Sequence, residues 1–70
     1  MFDYSKLIGR IVEKFKTQNA FAKAMKISAN TWSNKINGRI DFKTGEILRA
    51  IELLGLAVVD IPDYFFTQKV

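Results

Sequence analysis

The chain has 70 residues, 49% of them hydrophobic, and it contains neither cysteine nor histidine. A chain of this length forms one domain, predicted over residues 1–70, and it must fold on its own apolar core because disulfides and thiolate metal sites are excluded. The usual general base and thiolate nucleophile are missing as well, so we expect no enzyme activity and no cofactor.

The positive charge lies in the first two thirds of the chain. Residues 1–49 hold ten Lys/Arg and four Asp/Glu, a net charge of +6, whereas residues 50–70 carry −2. A basic body favours a polyanionic partner. The longest apolar run, residues 53–59, is too short to cross a bilayer, and the N-terminus lacks a signal-peptide pattern. We therefore expect a cytoplasmic protein that makes no membrane contact.

The first two helices are predicted over residues 4–16 and 18–25. Apolar residues of the first recur every three or four positions, as in an amphipathic helix: Leu7, Ile8, Ile11, Val12 and Phe15. Asp3 is its expected N-cap. Thr17 is expected to cap the second helix, whose apolar side carries Phe21, Ala22 and Met25.

A third helix is predicted over residues 29–37 and a fourth over 44–54. Ser28 and Thr44 are their expected N-caps; Gly38 is expected to end the third helix in left-handed geometry, and Gly55 is expected to end the fourth. Trp32 and Ile36 of the third helix lie four residues apart, which places both on the buried side.

The last part of the chain, residues 57–70, is predicted as an apolar tail. Residues 57–61 have the composition for one more helical turn, but Pro62 disfavours continuation because the residue before a proline is pushed towards extended geometry. The predicted fold class is therefore all-α, with four to five short helices and an extended C-terminal tail. Tyr64, Phe65 and Phe66 either cover the monomer core or insert into a second chain, and a homodimer contact is favoured.

Residues 17–38 carry the strongest functional signal. Two short helices joined by a brief turn must cross steeply, with Ala22 at the close approach. If Ile27, Trp32 and Ile36 are buried, the opposite side of the third helix carries small or amide-bearing residues: Ala29, Asn30, Ser33, Asn34 and Asn37. Such a face fits the major groove and offers paired donors and acceptors to base edges.

This segment resembles the helix-turn-helix of the lambdoid Cro and repressor family. The shared pattern is Thr-Gln-x-x-apolar-Ala over residues 17–22, the Ser28 cap and the Asn37-Gly38 end. With its ending over residues 61–66, the whole chain is similar to short Cro-like regulators of Gram-positive phages and prophages. The resemblance and the composition of this face together predict four base-contacting residues: Ala29, Asn30, Ser33 and Asn34. Those for phosphate contact are Gln18, Ser28, Lys35, Asn37, Arg39 and Lys43.

The resemblance implies a transcriptional regulator that binds double-stranded DNA as a homodimer, on a pseudo-palindromic operator. The alternative is a protein-binding modulator that docks on a partner phage repressor and masks its DNA-binding face. The absence of Arg and Gln from the recognition face leaves room for that alternative. One departure from the family concerns the turn, which has Lys26 where glycine is usual. A non-glycine residue in left-handed geometry costs about 1 kcal/mol.

Overall fold

Five α-helices follow one another along residues 2–68, the part of the chain that the computed structural model describes. They are α1 (Ser5–Phe15), α2 (Gln18–Ala24), α3 (Ala29–Ile36), α4 (Thr44–Leu54) and α5 (Ile61–Phe65). The all-α fold class is confirmed, and the first four helices end within one residue of their predicted spans. None of the helices over residues 2–68 is long and apolar enough to cross a membrane.

The N-caps of α2 and α3 are the predicted residues. Thr17 Oγ1 accepts a hydrogen bond from the Ala20 N–H at 3.1 Å, and Ser28 Oγ accepts one from the Thr31 N–H at 3.0 Å. Each hydroxyl satisfies a backbone donor that has no partner within its helix. These two caps fix where the helices on either side of the turn begin.

The other two helix starts differ from the prediction by one residue. The N-cap of α1 is Tyr4, but the capping hydrogen bond comes from Asp3, whose Oδ1 accepts the Ser5 N–H at 2.9 Å. Thr44 is the first residue of α4 rather than its N-cap, which is Lys43. The carboxylate of Glu46 accepts the Lys43 N–H at 2.8 Å, and this bond closes the start of α4 without a Thr hydroxyl.

One buried cluster holds the five helices together. It joins apolar side chains from every helix: Leu7, Ile11, Phe21, Ala22, Met25, Trp32, Ile47, Ala50, Ile51, Leu54 and Phe65. Trp32 is 2% exposed, which confirms its predicted place in the core. Its ring lies edge-to-face against Phe21 on one side and Phe42 on the other, with centroids 5.2 and 5.6 Å away. The third helix is thereby anchored to the domain through its tryptophan.

The C-terminal segment contains the further helical turn that residues 57–61 suggested, and it stays helical as far as Phe65, where an extended tail was predicted. A short 3-10 helix, Val58–Asp60, runs directly into α5. Pro62 does not stop this helix because it lies in the first turn, where its missing N–H is not needed. After α5 the chain pairs with the N-terminal segment: Gln68 forms a bridge with Phe2, and the Asp3 N–H donates to the Thr67 carbonyl at 2.7 Å. The last two residues of the predicted tail, 69 and 70, lie outside the described residues.

Candidate interaction face on the third helix

The turn between α2 and α3 places Lys26 in left-handed geometry, with φ of 63°. Proteins of the family that the sequence resembles usually have glycine at this position. The chain adopts the left-handed conformation although it costs free energy for a residue with a side chain. The Ile27 N–H donates to the Ala22 carbonyl at 3.0 Å, and Ala22 is almost fully buried. The turn therefore brings α3 back against α2 with one side of α3 left open.

The open side of α3, together with the loop of residues 37–43, is called the α3 face below. Ala29 and Asn30 are exposed at its start, and Ser33 and Asn34 are half-buried along it. Asn37, Arg39 and Lys43 are exposed at its far end. All of the predicted base-contact residues thus lie on one accessible surface.

Several polar groups of the α3 face bond to one another. Asn37 Nδ2 donates to the Ser33 carbonyl at 2.8 Å and to Ser33 Oγ at 3.2 Å. Arg39 Nη1 donates to Asn34 Oδ1 at 3.3 Å. Two of the four predicted base-contact residues are therefore engaged within the chain. Asn30 keeps its amide open to solvent.

Gln18 and Ser28, predicted as phosphate contacts, both carry internal hydrogen bonds. Gln18 Oε1 accepts from the Trp32 Nε1–H at 2.8 Å, which satisfies the one polar atom of the buried indole. Ser28 Oγ also donates to Thr31 Oγ1 at 2.9 Å, in addition to its role as a cap. The Gln18 amide nitrogen is the group of these two side chains that stays open to a partner.

Lys35 corrects the prediction, because its ammonium does not reach the surface. Its side chain is 4% exposed, and Nζ lies 2.8 Å from Glu46 Oε1. The same Nζ donates to the Asp41 carbonyl at 3.2 Å. A buried ammonium stays charged only with such partners, and its burial keeps it from reaching a phosphate.

Glu46 is the residue of this region that the sequence pattern did not single out. Burial raises the pKa of its carboxyl, but the hydrogen bonds from Lys35 and the Lys43 N–H, with the charges of both lysines, outweigh burial and lower the pKa below its ordinary value. The sequence does contain one signal for Glu46, its position three residues after Lys43. An acidic side chain at that position accepts a hydrogen bond from the backbone N–H of the N-cap residue. Its pairing with Lys35 depends on the path of the loop.

The loop between α3 and α4 is fixed at both ends. Gly38 adopts φ of 78°, and the N–H groups of Arg39 and Ile40 both donate to the Asn34 carbonyl, at 2.9 and 3.3 Å. At the other end, the Lys35–Glu46 pair holds Asp41 and Lys43. Ile40 is 44% exposed between these anchors. The α3 face therefore offers an apolar side chain beside Arg39 in a pre-organised loop.

The predicted dimer contacts at residues 64–66 occupy different environments. Phe65 is 1% exposed and packs edge-to-face on Phe42, with centroids 5.3 Å apart. It belongs to the monomer core, which corrects the prediction for this residue, because α5 is a helix that turns Phe65 inward. Tyr64 is half-buried and Phe66 is 46% exposed, so a dimer contact by these two rings stays a prediction.

No group of three His, Cys, Asp or Glu side chains within residues 2–68 is arranged to hold a metal ion. The chemistry that the α3 face offers is hydrogen bonding, one large exposed apolar side chain, Ile40, and two exposed cations, Arg39 and Lys43. These are properties of a binding surface.

Comparison with known proteins shows that this chain is similar to a phage regulator. The solution structure of the modulator of repression of the temperate bacteriophage TP901-1 from Lactococcus lactis is similar to the chain, with a TM-score of 0.86 and 49% sequence identity. The match covers 99% of this chain and 93% of the phage protein. No protein of curated function matches the chain in sequence. A family model matches residues 1–68, and the chain therefore belongs to the family described as protein of unknown function (DUF739).

Proposed function

We propose that the chain modulates a phage or prophage repressor by docking on that repressor and masking its DNA-binding face. The observation that carries the proposal is the similarity to a modulator of repression, at 49% identity over 99% of the chain. A similarity of this extent includes the whole α3 face.

Two features of the α3 face support a protein partner. Ser33 and Asn34 are bonded to Asn37 and Arg39, so fewer amide and hydroxyl groups are open to base edges. Ile40 is exposed in a loop that is fixed at both ends. An exposed apolar side chain surrounded by polar groups is typical of the centre of a protein–protein interface.

Operator binding in the manner of the Cro family is the second candidate. The caps at Thr17 and Ser28 and the tight turn at Lys26 suit a helix-turn-helix, and Arg39 and Lys43 are exposed beside its second helix. With about four to six phosphates neutralised, DNA affinity would fall with salt at a log–log slope of roughly −3 to −6.

A competition assay separates the two candidates. A repressor from the same phage or prophage is bound to fluorescent duplex that carries its operator, and the chain is added at increasing concentration. The proposal predicts that anisotropy falls to the value of free duplex and that the chain alone does not raise it. The variant Lys14→Ala changes an exposed residue of α1, away from the α3 face. It serves as the surface control and should compete as well as the unmodified chain.

Two results would contradict the modulator proposal. If the chain alone raises the anisotropy with a steep salt dependence, operator binding is the better account. If the repressor stays on its duplex and no complex with the chain is seen by size-exclusion chromatography, the repressor is not its partner.

A further inference from the structure

A cavity of about 320 Å³ lies between the N-terminal segment, the loop after α3 and the C-terminal helix. Ile47 and Phe65 are its most buried lining residues. Five more aromatic or charged side chains line it, from the N-terminal segment, the loop and the end of α5: Phe2, Tyr4, Asp41, Phe42 and Phe66. The cavity shares Asp41 and Phe42 with the loop of the α3 face and Phe66 with the predicted dimer contact, but neither gives the cavity itself a ligand.

The aromatic rings around the cavity are steeply inclined to one another. Phe2 and Phe66 lie 5.4 Å apart at 79°, and Tyr4 and Phe42 lie 5.4 Å apart at 76°. Rings inclined in this way present both edges and π faces to the space that they share. Since the π face of an aromatic ring carries partial negative charge, a cation within about 6 Å of it is attracted.

Asp41 adds a full negative charge to the lining. The residue is exposed, and within residues 2–68 its carboxylate takes part in no hydrogen bond or ion pair; only its backbone carbonyl is bonded, by Lys35. Burial first and the Asp41 carboxylate second raise the pKa of the Tyr4 hydroxyl. The carboxylate therefore lies within electrostatic reach of the Tyr4 ring.

Within residues 2–68 no Lys or Arg lines the cavity, although residues 1–49 carry a net charge of +6. The nearby ammonium of Lys35 is neutralised by Glu46. The cavity is thus an acidic, aromatic-walled site on a basic domain. A basic partner would be repelled by most of this surface and attracted here.

We propose that this cavity receives an arginine side chain from the DNA-binding surface of the partner repressor. The proposal rests on the proposed function, and it names the contact by which one basic protein docks on another. DNA-binding surfaces are rich in arginine and lysine because they neutralise phosphates. A guanidinium group stacks on aromatic faces and pairs with a carboxylate through two parallel hydrogen bonds, so it matches the rings and Asp41 together. An arginine held in this way is withdrawn from DNA.

The first test needs no repressor. The chain is titrated with N-acetyl-arginine-N-methylamide while its aromatic ring protons are followed by NMR, and the citrulline analogue, which has nearly the same shape but no charge, is the matched control. We expect saturable shifts for Phe2, Tyr4 and Phe42 with the arginine compound alone. Asp41→Asn should abolish them. Equal shifts with citrulline, or none with either compound, would overturn the cavity assignment.

The second test measures repressor affinity by isothermal titration calorimetry. Asp41→Asn should weaken binding by about tenfold or more, because it removes one charge from a partly desolvated pair. Asp63→Asn makes the same change on an exposed residue outside the lining and should leave the affinity unchanged. Phe66→Leu keeps an apolar side chain but removes a π face, and it should weaken binding by a few fold.

The outcomes of the two tests separate the cavity from the proposed function. If the repressor binds and Asp41→Asn binds as tightly as the unmodified chain, the cavity assignment is wrong and the modulator proposal stands. If the repressor does not bind the unmodified chain, the modulator proposal is wrong, and the NMR titration still decides whether the cavity takes a guanidinium group. Circular dichroism of each variant shows that the fold is kept.

Discussion

Lys35 Nζ lies 2.8 Å from Glu46 Oε1, and the Lys35 side chain is almost completely buried. The pair links α3 to the first turn of α4 across the loop that carries Arg39 and Ile40. Lys35 also holds the Asp41 carbonyl, and Glu46 also holds the Lys43 N–H. One ion pair thus holds two residues of the loop, Asp41 and Lys43.

Replacing Glu46 by Gln should destabilise the domain by about 3 kcal/mol, because it leaves the Lys35 ammonium buried without its counter-ion. Chemical denaturation followed by circular dichroism measures the change. Glu52→Gln, on an exposed position of the same helix, is the control and should cost about 0.5 kcal/mol or less. Equal effects of the two substitutions would show that the pair contributes nothing to stability.

The same pair predicts how stability depends on pH. The pKa of Glu46 is lower in the folded chain than in the unfolded chain, so the folded state holds the ionised form more strongly. Its contribution is complete above the unfolded-state pKa, about 4.3, and is lost as pH falls through the lower folded pKa. Thermal unfolding between pH 6 and pH 3 should therefore show a smaller loss for Glu46→Gln than for the unmodified chain. Parallel curves would contradict this linkage.

Lys26 offers a stabilising substitution. Its φ of 63° costs a side-chain-bearing residue about 1 kcal/mol, and glycine adopts the same conformation without that cost. Lys26→Gly should raise the free energy of unfolding by about 0.5 kcal/mol, since glycine also gains freedom in the unfolded chain. Lys23→Gly, inside α2, should lower it by about 1 kcal/mol. A loss of stability in Lys26→Gly would mean that the lysine side chain makes a contact worth more than the strain.

The helices were predictable because their signals are local. Thr17, Ser28 and Gly38 act within one turn of their own position, and the inward side of α3 follows from the spacing of Trp32 and Ile36. The tail was not predictable from Pro62, since a proline that stops a helix in its interior is favoured in a first turn. The sequence spacing of Lys35 and Glu46 does not show that the two side chains meet. The same is true of the cavity residues Tyr4, Asp41 and Phe66, which only the path of the folded chain brings together.

Trp32→Ala should destabilise the domain by about 3–5 kcal/mol, as truncation of a large buried side chain does, and a domain of this size then unfolds at ordinary temperature. Trp32→Phe keeps most of the apolar volume but removes the indole N–H that donates to Gln18 Oε1. We expect an intermediate loss for this variant. Urea titrations of both variants measure the losses. A stable Trp32→Ala domain that no longer binds its partner would place the indole in the interface.

The end of the chain gives a matched pair of substitutions in adjacent rings. Phe65 is buried against Phe42, so Phe65→Ala should cost about 3–5 kcal/mol. Phe66 is 46% exposed, so Phe66→Ala should cost about 1 kcal/mol or less. Truncation after Pro62 removes both rings, and it should unfold the domain rather than leave a helical monomer. Urea titration of the three variants measures the order of their free energies of unfolding.

Sedimentation then decides what Phe66 and Tyr64 do. If these rings join two chains, the unmodified protein sediments as a dimer at tens of micromolar and Phe66→Ala sediments as a monomer with its fold intact. If both proteins sediment as monomers, the exposed ring serves the cavity or the partner instead of a second copy. Phe65→Ala cannot make this distinction, because a variant that unfolds loses every interface at once.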